Sequence, residues 1–244
     1  MTVFDDLAAE QDRLADILTG LSEAQWLTES AAAGWSVADV VLHLAQSEEG
    51  VISSASGGVP RRIASTAGGT VDDRAEQWVK AERAAPAVVF ARWQQARRDA
   101  MAALLAADSQ QPLEWVAGPI KPSTLATTRL AEHWAHGLDI TGPLGIGLPD
   151  TGRLRHIAWL AHRTLPYALV RAGEPTAEVR CELTAPDGME IWSFGPPEAQ
   201  SSISGPAGAF CRVAAQRLDP ADSGLEASGP HGATALRLVR TYAA

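Results

Sequence analysis

The side chains best placed to do chemistry lie in Leu130-Ala131-Glu132-His133-Trp134-Ala135-His136-Gly137-Leu138-Asp139. Glu132 and His136 are four residues apart in a run that reads as helix. At that spacing both side chains share one face, with Cβ atoms roughly 5–6 Å apart, which suits two ligands on one divalent ion. A third ligand must come from elsewhere. The best candidate is His43, in Gly34-Trp35-Ser36-Val37-Ala38-Asp39-Val40-Val41-Leu42-His43-Leu44. Alone, His43 reads as a hydrogen-bonded core histidine, and only the Glu132/His136 pair recommends it as a ligand. Zinc held by three protein ligands keeps a position for water or substrate. His133 is three residues from His136, so a His43/His133/His136 set is chemically open too. Asp139 either orients His136 through the far ring nitrogen or is a surface acid near a helix end. Gly137 removes a side chain where the backbone has to approach a neighbour closely.

These residues need helices to carry them, and the apolar periodicity supplies several. Residues 3–19 form an amphipathic helix on Phe4, Leu7, Leu14, Ile17 and Leu18. Ser22 and Gln25 make a capping box for a short turn. Ser36 is the expected N-cap of the helix carrying His43, with Asp39 favouring its N-terminus. Residues 53–70, rich in Gly, Ser and Ala, read as a loop that is either a lid or a surface connection. Helical periodicity returns over 71–108, and Pro86 must break or kink it. The helix with Glu132 and His136 starts near Ser123 or Thr124. Another covers about 151–171, with His156 and His162 read as surface or capping histidines.

At Gly173 the period changes to two. Val179, Cys181 and Leu183 alternate with polar residues, and Asp187-Gly188 signals a hairpin. Short strands at 201–204 and 225–228, a helix over 206–217 and a last helix from Gly232 complete a small α+β unit. The expected fold is therefore mainly α, a helical bundle over residues 1–172 followed by a small α+β domain over 173–244.

Composition narrows the partners. A net charge of −9, with only Arg61-Arg62 and Arg97-Arg98 as basic clusters, argues against nucleic acid. No apolar run reaches the ~20 residues of a membrane span. The start, Met1-Thr2-Val3-Phe4-Asp5-Asp6, has acids where a secretion signal needs basic residues, so the cytoplasm is the expected location. Cys181 and Cys211 read as small core residues rather than nucleophiles.

Two segments carry a family resemblance. Trp35 to Leu44 resembles the W-x-V-x-D-hydrophobic-x-x-H-L segment of the DinB-like metal-dependent superfamily, and Glu132 to Asp139 resembles the E-x-x-x-H-x-x-D segment of its mycothiol-dependent maleylpyruvate isomerase branch. The resemblance spans about residues 1–170, and the α+β tail is similar to the C-terminal domain of that branch. It implies a four-helix bundle with a zinc site made by His43, Glu132 and His136. It implies mycothiol as a cosubstrate, a thiolate formed at the metal, and attack on a small electrophile. In an isomerase, addition to a double bond, rotation and elimination follow; in a transferase the thiol stays attached. Either Arg212 or Arg217 on the tail helix could meet a substrate carboxylate, against a plain surface role, and Arg217 is the one taken forward as catalytic. The expected function is thus a zinc-dependent, thiol-using transferase or isomerase. A non-catalytic metal- and ligand-binding protein and a metal-dependent hydrolase, using bound water of pKa about 7, are the alternatives. Bundles of this kind can also pair into homodimers through exposed helix faces.

Overall fold

The computed structural model describes residues 2–58, 70–116 and 118–242. Contacts divide the chain into one unit from Met1 to Leu148 and a second from Pro149 to Ala243. The first holds α1 (Val3–Thr19), α2 (Glu23–Trp26), α3 (Val37–Ala55), α4 (Val71–Ala81), α5 (Pro86–Ala106) and α6 (Pro122–Thr141). The expected break at Pro86 is present, and that proline becomes the first residue of α5, where its missing N–H costs nothing. Pro122 opens α6 in the same way. Capping boxes start α1 (Thr2/Asp5), α2 (Ser22/Gln25), α3 (Ser36/Asp39) and α4 (Thr70/Asp73). Each ties down backbone donors that a helix start leaves unpaired.

Helices α1, α3, α5 and α6 form the expected four-helix bundle: α3 and α1 each pack against both α5 and α6. The buried faces are apolar, with Val37, Val41, Leu44 and Val51 on α3 and Leu125, Leu130, Trp134 and Ile140 on α6. Gly137 lets α6 lie close to the chain beyond it: a Cβ there would sit 3.2 Å from Leu148 Cδ2. The proposed lid falls largely outside the described residues, and its first positions continue α3 to Ala55.

The second unit holds α7 (Leu154–Arg171), β1 (Val179–Thr184), β2 (Ile191–Phe194), β3 (Ser201–Pro206), α8 (Ala207–Ala214), β4 (Glu226–Ser228) and α9 (Gly232–Leu238). The strands form one mixed sheet in the order β2-β1-β3-β4, with β1 and β3 parallel and the outer pairs antiparallel. Asp187-Gly188 makes the predicted turn, with Gly188 at φ 72°.

The boundary differs from the one the periodicity suggests. It falls at Leu148/Pro149 rather than 172/173, because α7 packs on α8, α9 and β2. The change of period at Gly173 marks where strands begin, not what the preceding helix packs against. His162 is correspondingly half-buried against the sheet. Its Nε2–H donates to the Val179 carbonyl at 2.9 Å, and its ring stacks on Phe194. No helix among the described residues is long and apolar enough to cross a membrane.

Candidate metal centre

The seventh residue of α3 and two residues of α6 meet inside the bundle. One donor atom each from His43, Glu132 and His136 lies within 4.8 Å of the other two. His43 Nε2 is 3.6 Å and His136 Nε2 3.5 Å from the same carboxylate oxygen, Glu132 Oε2. The two imidazole centroids are 4.8 Å apart, and the rings are inclined at 69°. The histidines are nearly buried, while the Glu132 side chain is 30% exposed and forms the wet edge of the cluster.

Asp139 orients one of the imidazoles. His136 Nδ1–H donates to Asp139 Oδ2 at 2.9 Å, and the Asp139 side chain is only 2% exposed, so it is not a surface acid. Fixing the proton on Nδ1 leaves the Nε2 lone pair for an ion, the arrangement typical of ligand histidines. Electrostatics separate the groups. Burial opposes the Glu132 charge, yet the hydrogen bonds from His136 and His43, with the charges of His136 and Arg129, hold its carboxyl well below the usual range. Burial likewise opposes charge on His136, but its bonds to Asp139 and Glu132 outweigh that and raise its pKa.

His133 is not brought into this set. Its ring is turned to other partners: its Nδ1–H donates to the Arg129 carbonyl at 2.8 Å. That fixes the tautomer, so Nε2 accepts from the Trp93 indole N–H at 3.2 Å. Burial and the Arg129 charge push its pKa down to about 3. Both nitrogens are engaged, and the His43/His133/His136 alternative has no basis in this geometry. Behind it lies a charge pair that sequence reasoning missed: Arg129 Nε–H donates to Glu48 Oε1 at 2.9 Å, with both side chains almost fully buried. Among the described residues, Glu48 Oε2 and Arg129 Nη2 have no hydrogen-bond partner. A signal was available: Glu48 falls on the apolar stripe of Val37, Val41, Leu44 and Val51, where an acid needs a buried partner.

The tail arginines have definite local roles. Arg212, on α8, makes a bidentate pair with Asp150 at 2.7 and 2.8 Å. Arg217 lies beyond the end of α8, not on the helix as expected, and its guanidinium donates to the Ala215 carbonyl at 2.6 Å. Both cysteine thiols are buried, and burial pushes their pKa upward, Cys181 to about 12, which fits core residues and not nucleophiles.

With this geometry in hand, comparison with known proteins decides the lineage. Residues 7–141, from within α1 to the end of α6, match the model of the mycothiol maleylpyruvate isomerase N-terminal domain. The chain belongs to this family. Two uncharacterised proteins of Mycobacterium tuberculosis, from two strains, are each 31% identical over 98% of this chain and 94% of their own length. Among solved structures, the mycothiol-dependent maleylpyruvate isomerase shares the fold, with a TM-score of 0.63 over 93% of this chain and 91% of that one, at 14% identity. A histidine-to-alanine variant of that isomerase aligns equally well, with a TM-score of 0.64 at 13% identity.

Proposed function

We propose that this chain is a metal-dependent, thiol-using isomerase or transferase, with mycothiol as its thiol and a small electrophilic molecule as its substrate. The observation that carries the reading is the convergence of His43, Glu132 and His136 on one point, in a chain of the mycothiol maleylpyruvate isomerase family.

The donor set fits a divalent ion. Two imidazoles and one carboxylate suit zinc, and three such ligands leave a position open. When bound, the ion would favour a thiolate over a thiol at neutral pH. The chain's own residues prepare for this. Glu132 is ionised, and the Asp139 hydrogen bond holds His136 Nε2 toward Glu132, where it could ligate an ion once its proton leaves. His133, neutral and held at both nitrogens, stays out of the ligand set. The exposed edge at Glu132 gives solutes access to the cluster. The structural relative is an isomerase of maleylpyruvate, so a carboxylate-bearing alkene is the first substrate class to try. The role kept for Arg217 is to pair with that carboxylate, as a guanidinium does well.

The test begins with metal analysis of untagged protein beside His43→Ala and His136→Ala. One equivalent of metal in the wild type and little in either variant supports the centre. Mycothiol consumption or thiol-dependent isomerisation, absent from the His136→Ala variant, supports the activity. Hydrolysis without added thiol would favour the hydrolase instead. A co-purifying small molecule with no turnover would favour a binding protein. For Arg217, an Arg217→Gln variant with unchanged KM for a carboxylate substrate would remove it from the proposal.

A further inference from the structure

Trp35 stands against the candidate ligands. Its ring centroid is 5.0 Å from that of His43, inclined at 47°, and 6.5 Å from that of His136, inclined at 26°. With the 4.8 Å between the imidazoles, the three rings make one packed group. The indole belongs to the residue just before the Ser36 cap of α3, so it spans from the helix that bears one imidazole to the helix that bears the other.

The loop that presents this indole is pinned on three sides. The Ser30 N–H and Oγ–H both donate to the Trp35 carbonyl at 2.8 Å, and Val37 N–H donates to the Thr28 carbonyl at 3.0 Å. Gly34, at φ 77°, supplies the left-handed turn that brings Trp35 back. Ala31 N–H donates to the Asp139 carbonyl at 2.9 Å, while the carboxylate of that residue holds His136. The loop is therefore bonded to the residue that orients one ligand and packed on the rings of both.

A histidine's χ2 torsion has a broad minimum, so backbone placement alone does not set the ring plane. Asp139 fixes one imidazole by a hydrogen bond, and the indole restricts both by contact. We infer that Trp35 is a positioning residue of the metal centre, holding the planes of His43 and His136 in register for a shared ion, with the 28–36 loop as its mount. This rests on the reading of His43, Glu132 and His136 as metal ligands, and it goes beyond it by adding an element that contributes no donor.

The test uses cobalt(II), whose visible bands report ligand geometry, on the full chain. Trp35→Ala is expected to shift and weaken those bands and to lower cobalt affinity by about 10–100-fold, the usual cost of losing an orienting group. Trp35→Phe, which restores an aromatic face, is expected to recover most of both. Trp35→Leu keeps apolar bulk without a ring, and it serves if the alanine variant does not fold. In hydrogen exchange, metal is expected to protect the amides of Ser30, Ala31 and Val37 in the wild type and not in Trp35→Leu. Unchanged bands and affinity in folded Trp35→Ala or Trp35→Leu would overturn the inference while leaving the centre standing. A wild-type chain that takes up no cobalt would overturn the centre itself, which is a separate result.

Discussion

Two histidines on one helix, one turn apart, are driven to opposite chemistry by the charges and partners around them. His136 donates to a buried carboxylate, so positive charge on its ring is tolerated and its pKa rises. His133 is fully buried beside the Arg129 charge, and its bond to the Arg129 carbonyl does not offset them, so charge there is rejected and its pKa falls to about 3. Asp139→Asn keeps an acceptor for His136 but removes the charge, and it is expected to weaken zinc binding by about 10–100-fold in a competition titration. His133 carries a different expectation. Its folded pKa lies below the ordinary 6.5, so its contribution to stability is complete above pH 6.5. That contribution is lost as pH falls toward 3, because the unfolded chain takes the proton first. The loss is on the order of a few kcal/mol. Thermal unfolding measured from pH 7 to pH 4 should therefore fall less steeply in His133→Gln than in the wild type, and parallel slopes would refute the assignment.

At the scale of elements, the site depends on α3 starting at the right residue, since a shift of one position would rotate His43 by about 100° away from α6. Ser36 and Asp39 fix that start, and Arg83 adds a bidentate grip on Asp39 at 2.8 and 2.9 Å. Ser36→Ala should cost about 1 kcal/mol of stability in denaturant unfolding while leaving metal stoichiometry unchanged, because the register is still held by Arg83 and the apolar face. The caps at Ser22 and Ser36, Pro86 and the bundle helices were legible in the sequence because each is written in a short local pattern, whereas the boxes at Thr2 and Thr70 were missed. So was the grouping of His43 with Glu132 and His136, through helical spacing and a family resemblance. What escaped depends on packing across the chain. The partner of α7 is set by the sheet that follows it, the burial of Asp139 by the loop that donates to its carbonyl, and the place of Arg217 beyond the helix by where α8 ends. Trp35 was visible as part of a motif, but its contact with two imidazoles exists only once α3 and α6 have packed.

For the whole molecule, the proposed metal centre would couple ion binding to protons and to the fold. In the metal-free chain the raised pKa of His136 stabilises the fold below its ordinary 6.5, and that contribution is lost as pH rises through the folded value. Glu132 behaves in the opposite sense: its lowered pKa stabilises the fold above its ordinary 4.5, and the contribution is lost as pH falls through the folded value. The metal-free cluster is therefore most favourable between about 4.5 and 6.5, where a charged His136 sits between two carboxylates. An ion needs that same nitrogen without its proton, so it competes with the stabilised proton and binds more tightly as pH rises. If the proposed centre holds zinc, the ion at about 100 times its Kd would stabilise the folded chain by about 2.7 kcal/mol, or roughly 5–10 °C in Tm for a chain of this size. At fixed total zinc, that increment should be small near pH 5.5 and should grow toward a plateau above neutrality. It should vanish in His43→Ala, which leaves His136 and its carboxylates in place. An increment that is the same at pH 5.5 and pH 8, or that survives His43→Ala, would mean that the ion stabilises the chain from some other set of donors.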